Sequence, residues 1–406
     1  MLLYSLWMLL AFQTGAKPAL TGTPTELKPH AGMWRGVYFN PQVDRDPNFP
    51  WLIYYKDHRT QVRGALHELR EETRINLVDL FVMIPNSLRI PAHGNQPGEK
   101  LETWANTEFL KNVSQFVDDC HEAGLGTELD LVDNRWIPHT IDSHEHIGAP
   151  GNRWWPVAEN EPRNWQASAE WYKSVIEYVE AHCAHPEAIA MWSMMGNYHW
   201  GAAEPVLWDS SAHPEIAEAT HRFVTHVWPA FRAAGKRPKA SPIMLPILSN
   251  NAYWLSLHPS DRLKAFSNLK TWLVDELKLS PDYWVMSTYP FCDPATDGVH
   301  YIREIVEILG HDNVHRIVST DLKAEGHETE VADSIILNRQ SGGVQALNWQ
   351  LQLSRRYGFA GWWIWAYQDT PDSRSGIRRL DGSWKSELVK VMQSGAKERP
   401  PGATEH

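Results

Sequence analysis

The 406-residue chain is predicted to be an α/β protein, a single (β/α)8 TIM barrel with long loops at one face, on three observations. Strand-like and helix-like segments alternate eight times in succession. Such alternation implies a parallel sheet, and eight units imply its closure. Helix-like segments end in Gly124, Gly235 and Gly358 before the third, fifth and eighth strands, where the chain needs a left-handed residue. The loops that follow strands, notably 134–164 and 199–213, are long and rich in Trp, His, Asn and Asp, whereas the loops leading back into strands are short. The polar, aromatic surface is thereby gathered at one mouth. A doubly wound open sheet is the competing architecture, but no Gly-rich phosphate fingerprint follows the first strand.

In chain order, residues 1–16 are expected to be a signal peptide. The apolar run 2–12 is too short to span a bilayer and precedes Thr14, Gly15 and Ala16, small residues suited to cleavage. No basic side chain precedes the run. A Pro-rich lead-in occupies 17–32, the barrel 33–396 and a disordered tail 397–406. Strands are expected at 34–40, 76–84, 126–132, 188–197, 243–248, 283–289, 316–320 and 359–366, each a short apolar run. Amphipathic helices are expected at 60–74, 107–123, 165–184, 214–234, 260–279, 299–309, 331–357 and 384–392. The fourth strand, within AIAMWSMMGNYHWG (188–201), shows no polar alternation, as befits a strand covered on both faces.

Composition narrows the partners. Hydrophobic residues make up 43%, enough for a large core, and the net charge of −11 is spread along the chain rather than held in a tail. A nucleic-acid partner is therefore not expected. After residue 12 no segment is long and apolar enough to span a membrane, and with the signal peptide this makes the expected location secreted or periplasmic. Cys120, Cys183 and Cys292 make no disulfide framework; Cys120 and Cys183 could pair, but buried free thiols are the expectation. The 21 tryptophans are the unusual number. Most belong in the core, and the rest offer flat platforms for sugar rings.

The ends of the strands carry the candidate chemistry. These are Asn40 and Gln42 after the first, Asp130, Asp133 and Asn134 after the third, and Asn197, Tyr198, His199 and Trp200 after the fourth. Asn250 and Asn251 follow the fifth, Tyr289 and Asp293 the sixth, Asp321 and Glu325 the seventh, and Trp365, Gln368 and Asp369 the eighth. Carboxylates and amides bind hydroxyl groups bidentately, and indoles stack beneath a ring, so a carbohydrate is the expected substrate.

Four segments resemble, in the right order, the motifs of the clan A retaining glycoside hydrolases, the superfamily of cellulase-like and β-galactosidase-like barrels. MWSMMGNYHW resembles its W-S-x-G-N-E signature, DYWVMSTYPF its sixth strand with a Tyr at the nucleophile, and RIVSTD its seventh strand. GFAGWWIWAYQD with GIRRLDGSWK resembles its eighth strand and trailing D-G-x-x-K. The resemblance implies glycosidic bond hydrolysis without a cofactor, by two carboxyls about 5–5.5 Å apart in the retaining case. The catalytic positions depart from that pattern. Tyr198 stands where the family has its acid/base Glu, and Asp321 where it has the nucleophilic Glu. A phenol is a poor proton donor to a glycosidic oxygen.

The catalytic group is therefore read as Asp321, His199 and Glu325, with His199 as a substitute acid. Glu204 or Asp209 from the same loop, or a rearranged pair drawn from Asp130, Asp133, Asp321, Glu325 and Asp369, are the alternatives. Asn197, Tyr198, Tyr289, Trp365, Asp130, Asp133, Trp200 and Asp369 are read as substrate-binding. The competing function is a glycan-binding barrel that has lost catalysis. A catalytic metal is not expected, since Asp142, His144 and His146 lie after the third strand and the fifth and sixth strand ends carry no histidine ligands.

Overall fold

The structure is a computed structural model that describes residues 33–41, 43, 50–83, 105–132, 162–194, 214–243, 264–287, 298–323, 344–370 and 376–397. Eight parallel strands close into a barrel in sequence order. They are β1 (Trp34–Tyr38), β2 (Leu77–Met83), β3 (Gly126–Val132), β4 (Ile189–Met194), β5 (Lys239–Ile243), β6 (Tyr283–Ser287), β7 (Ile317–Lys323) and β8 (Gly361–Trp365). Each is followed by a helix: α1 (Tyr55–Thr73), α2 (Thr107–Glu122), α3 (Pro162–His182), α4 (Pro214–Ala233), α5 (Lys264–Lys270), α6 (Gly298–Leu309), α7 (Val344–Tyr357) and α8 (Ser386–Lys397). The predicted barrel is thus present, with its helices ringing the sheet.

The punctuation works as the sequence suggests. Gly124, Gly235 and Gly358 take φ of 72°, 58° and 68°, ending the helices that precede β3, β5 and β8. At the start of α2, the side chain of Asn106 accepts a hydrogen bond from the N–H of Phe109 (3.2 Å).

Several boundaries move. β5 was expected at 243–248 and is observed at Lys239–Ile243, with 244–248 outside the described residues. Pro242, which precedes the expected strand, sits inside the observed one, aligned with Val285 of β6. Only Lys239 and Ala240 align with β4, as suits a strand whose proline can donate nothing to a ladder. β7 runs on to Lys323, so Asp321 lies inside the strand rather than beyond it. The fifth helix passes at Thr271–Glu276 into a π-helical turn.

The core has two parts. Outward-facing strand residues pack on the helices and include Trp192, Trp284 and Trp362, joined by Trp171 and Trp228 from α3 and α4. Burying an indole contributes roughly 4–6 kcal/mol of transfer free energy. Inside the barrel lies a smaller cluster of Tyr38, Leu77, Phe81, Ala190, Met191, Ala240, Val285, Val318 and Trp363. Its floor is filled by Trp34, whose ring lies over Gly126 and whose backbone lies against Gly361. A Cβ on Gly361 would sit 2.5 Å from Trp34 Cβ, so these glycines are the space the tryptophan occupies.

Cys120 and Cys183 are both free, as expected, with Cys120 buried and Cys183 only half-buried. Burial pushes the Cys183 thiol up to about 12, and its Sγ donates to the Ser114 carbonyl. Cys292 lies outside the described residues. Among the described residues no helix is long and apolar enough to cross a membrane.

Candidate active site

Among the described residues, the mouth is lined by the barrel-facing residues near the C-terminal ends of β1, β2, β3 and β8. Alternation dictates who faces in. Val78, Leu80 and Val82 belong to the outer core, so Asp79 and Phe81 point into the barrel; likewise Leu129 and Leu131 point out, and Glu128 and Asp130 point in. Asp79 aligns with Tyr38 on one side and Glu128 on the other. Asp130 aligns with Phe81 and with Ser193 of β4. Asp79, Glu128 and Asp130 are all at most 2% exposed.

Beside these carboxylates stands an aromatic wall. The rings of Tyr38 and Trp365 stack with centroids 4.1 Å apart and planes at 6°. Phe81 closes the group, 4.6 Å from Tyr38 and 5.9 Å from Trp365. Burial raises the Tyr38 phenol well above its usual range, and the nearby Asp79 and Asp130 carboxylates raise it further. The Tyr38 hydroxyl therefore keeps its proton at any working pH and is a hydrogen-bond donor. Among the described residues, Ser193 Oγ and Trp363 Nε1 are buried polar atoms without a hydrogen-bond partner.

The seam between β8 and β1 is closed by polar contacts. Asn40 Nδ2 donates to the Gln368 carbonyl (2.9 Å), and the Gln368 N–H donates to Asn40 Oδ1 (3.0 Å). Asp369 Oδ1 accepts from Lys385 Nζ (3.0 Å) and from the Gly376 N–H (2.9 Å), in a pair whose side chains are 7% and 6% exposed. Lys385 is the lysine of the D-G-x-x-K segment, which thus anchors the loop after β8. Arg378 adds a hydrogen bond to the Tyr367 hydroxyl (2.6 Å) and an ion pair to Glu68 (3.2 Å).

Of the residues singled out from sequence, the structure brings Asp130 and Trp365 to the same end of the barrel and places Asp369 in the buried pair with Lys385. Asp321 lies in β7 at a register shift: Ser319 aligns with Trp362 and Leu322 with Ile364, so Thr320 and Asp321 together stand opposite Trp363. That bulge falls where the resemblance puts the nucleophile. His199, Glu325, Asn197, Tyr198, Trp200, Tyr289 and Asp133 lie outside the described residues, as do Glu204, Asp209, Asp142, His144 and His146. Tyr38, Asp79, Phe81 and Glu128 were not singled out from sequence. The signal for Asp79 and Glu128 was carboxylates interrupting the apolar runs LVDLFVM and TELDLV on the inward period.

No protein-family description matches the sequence, and no curated protein does. Solved structures do. A GH5_18 protein from Bifidobacterium longum subsp. longum, in complex with Manβ1-4GlcNAc, superposes with a TM-score of 0.57 at 13% identity, over 92% of this chain and 80% of that one. The exo-β-1,4-mannosidase Op5Man5 from Opitutaceae bacterium strain TAV5 gives 0.53 at 13% identity, over 92% of this chain and 61% of that one. A broad-specificity GH5-4 endoglucanase from Clostridium acetobutylicum gives 0.51 at 12% identity, over 81% of this chain and 88% of that one. At such identities the likeness is one of architecture: the chain has the (β/α)8 fold found in glycoside hydrolases of family GH5.

Proposed function

We propose that the protein is an exported glycoside hydrolase that cleaves an oligo- or polysaccharide with a carboxylate-based mechanism and an atypical acid. The observation that carries this reading is the meeting of the Tyr38–Phe81–Trp365 wall with the inward carboxylates Asp79 and Asp130 at the C-terminal ends of the strands. A ring face offers the apolar side of a pyranose its platform, while carboxylates and the Tyr38 hydroxyl take the sugar hydroxyls. Asp321 is the proposed nucleophile or base, and its place at the bulge in β7 supports this. His199 is the proposed acid in place of the family's Glu, with Glu325 assisting. Asn197, Tyr198, Trp200, Tyr289 and Asp133 are proposed to contact the substrate. The apolar run at 2–12 supports export.

The test is hydrolysis of a panel of β-glycosides, aryl β-mannosides and the disaccharide Manβ1-4GlcNAc among them, by the wild type, Asp321→Ala, His199→Ala and Trp365→Ala. The expected result is turnover by the wild type and its loss on either of the first two substitutions. Trp365→Ala should weaken substrate binding roughly two- to tenfold, the worth of one stacked ring. Binding of a glycan with no turnover of any substrate would favour the alternative, a barrel that recognises glycans without cleaving them, for which Tyr198 at the acid position speaks.

A further inference from the structure

On the opposite end of the barrel, the turn that leads into β4 gathers three donor groups that the proposed chemistry does not use. His121 stands in the last turn of α2, His185 precedes the 3-10 turn Pro186–Ala188, and Glu187 lies within it. The imidazoles of His121 and His185 stack with centroids 3.9 Å apart and planes at 8°. His185 Nδ1 lies 3.0 Å from Glu187 Oε1. One donor atom from each of the three residues lies within 4.8 Å of the others.

The backbone beneath them is held independently. Asp118, on the same helix as His121, accepts the N–H groups of Ala184 (3.1 Å) and His185 (2.8 Å). Ser114, one turn earlier, donates to the Val179 carbonyl (3.4 Å). The two histidines are thus presented side by side by contacts that involve neither ring.

We propose that His121, His185 and Glu187 bind a divalent transition-metal ion of the zinc class, which ties α2 to the turn before β4. Donors about 2.0–2.2 Å from a tetrahedral zinc stand roughly 3.4 Å apart. The His185–Glu187 pair, at 3.0 Å, is close to that spacing; the lone pairs of the two stacked rings run parallel, so the His121 ring swings out of the stack to aim at the same ion, and its exposed side chain has room to do so. The ion takes the place of the hydrogen bond between His185 Nδ1 and Glu187 Oε1, with His185 binding as the neutral imidazole that carries its proton on Nε2. Two imidazoles and one carboxylate select zinc, nickel or copper over magnesium and calcium, which prefer all-oxygen sites. A fourth position stays open for water. Because the site lies at the N-terminal ends of β3 and β4, away from the mouth, its role is structural, and it stands or falls independently of the sugar chemistry.

Calorimetric titration of zinc into the full-length protein tests this, comparing the wild type with His121→Gln, His185→Ala, Glu187→Gln and, as a control for a surface histidine elsewhere, His226→Ala. The expected result is a site in the wild type that weakens by at least about tenfold in each of the first three variants and is unchanged in the fourth. Zinc should raise the unfolding midpoint of the wild type and not that of His185→Ala, while magnesium raises neither. Metal-free unfolding midpoints show that the variants are folded. Zinc binding of equal strength and stoichiometry in His121→Gln, His185→Ala and the wild type, or none in the wild type, overturns the proposal.

Discussion

Single residues in this barrel are tuned by what surrounds them, and Lys239 is the clearest case. Its side chain is buried at the start of β5, and burial lowers its pKa to about 8, with Glu180 and Asp282 opposing the shift and Arg232 and Arg237 reinforcing it. In the unfolded chain the amine titrates near 10.4. Between about pH 8 and 10 the unfolded state therefore binds more protons than the folded one, so this group's contribution to stability rises with pH; below about pH 8 its cost is fully present. Lys239→Met should accordingly gain stability relative to the wild type at pH 7, by roughly 1–3 kcal/mol, and lose most of that advantage by pH 10. Urea unfolding of both proteins at the two pH values measures it; a constant difference would show that Lys239 does not titrate in the window. Nothing in K-A-S-P announces this, because the sequence shows the lysine but not the helices that cover it.

At the scale of elements, the strands are short and their glycines are cavities for particular neighbours. Gly361→Ala would drive a methyl group to 2.5 Å from Trp34 Cβ and 2.8 Å from its carbonyl oxygen. The loss should be at least about 1–3 kcal/mol, the usual cost of overpacking, because half of the clash is with backbone that cannot rotate away. A denaturation midpoint unchanged by the substitution would mean that Trp34 does not fill the floor. Most of the strands and helices were legible from the alternation of apolar runs, since a parallel strand buried on both faces has few other sequences open to it. β5 was not, because Pro242 reads as an end and is in fact an interior residue of a strand aligned with β4 through only two positions. Asp79 and Glu128 were passed over for a related reason: a charged residue in the middle of a strand gives no sign of whether it faces a mouth or a helix until the register is known.

For the molecule as a whole, closure depends on the last unit returning to the first. The Asp369–Lys385 pair and the Asn40–Gln368 exchange make that return polar and specific rather than merely apolar. Lys385→Met should cost about 3–5 kcal/mol, since it leaves the Asp369 carboxylate buried without its cation. Lys385→Met combined with Asp369→Leu should recover much of this, and denaturant titration of the single and double variants reads the difference. A single variant as stable as the wild type would sink the idea that this pair closes the barrel. The D-G-x-x-K resemblance located Lys385, but only the fold shows that it reaches Asp369, sixteen residues earlier.

The tryptophan that plugs the floor also decides traffic. With Trp34 seated over Gly126 and against Gly361, the barrel is a blind vessel rather than a tunnel. The barrel axis is shut at that end, so anything bound at the mouth comes and goes from one side only.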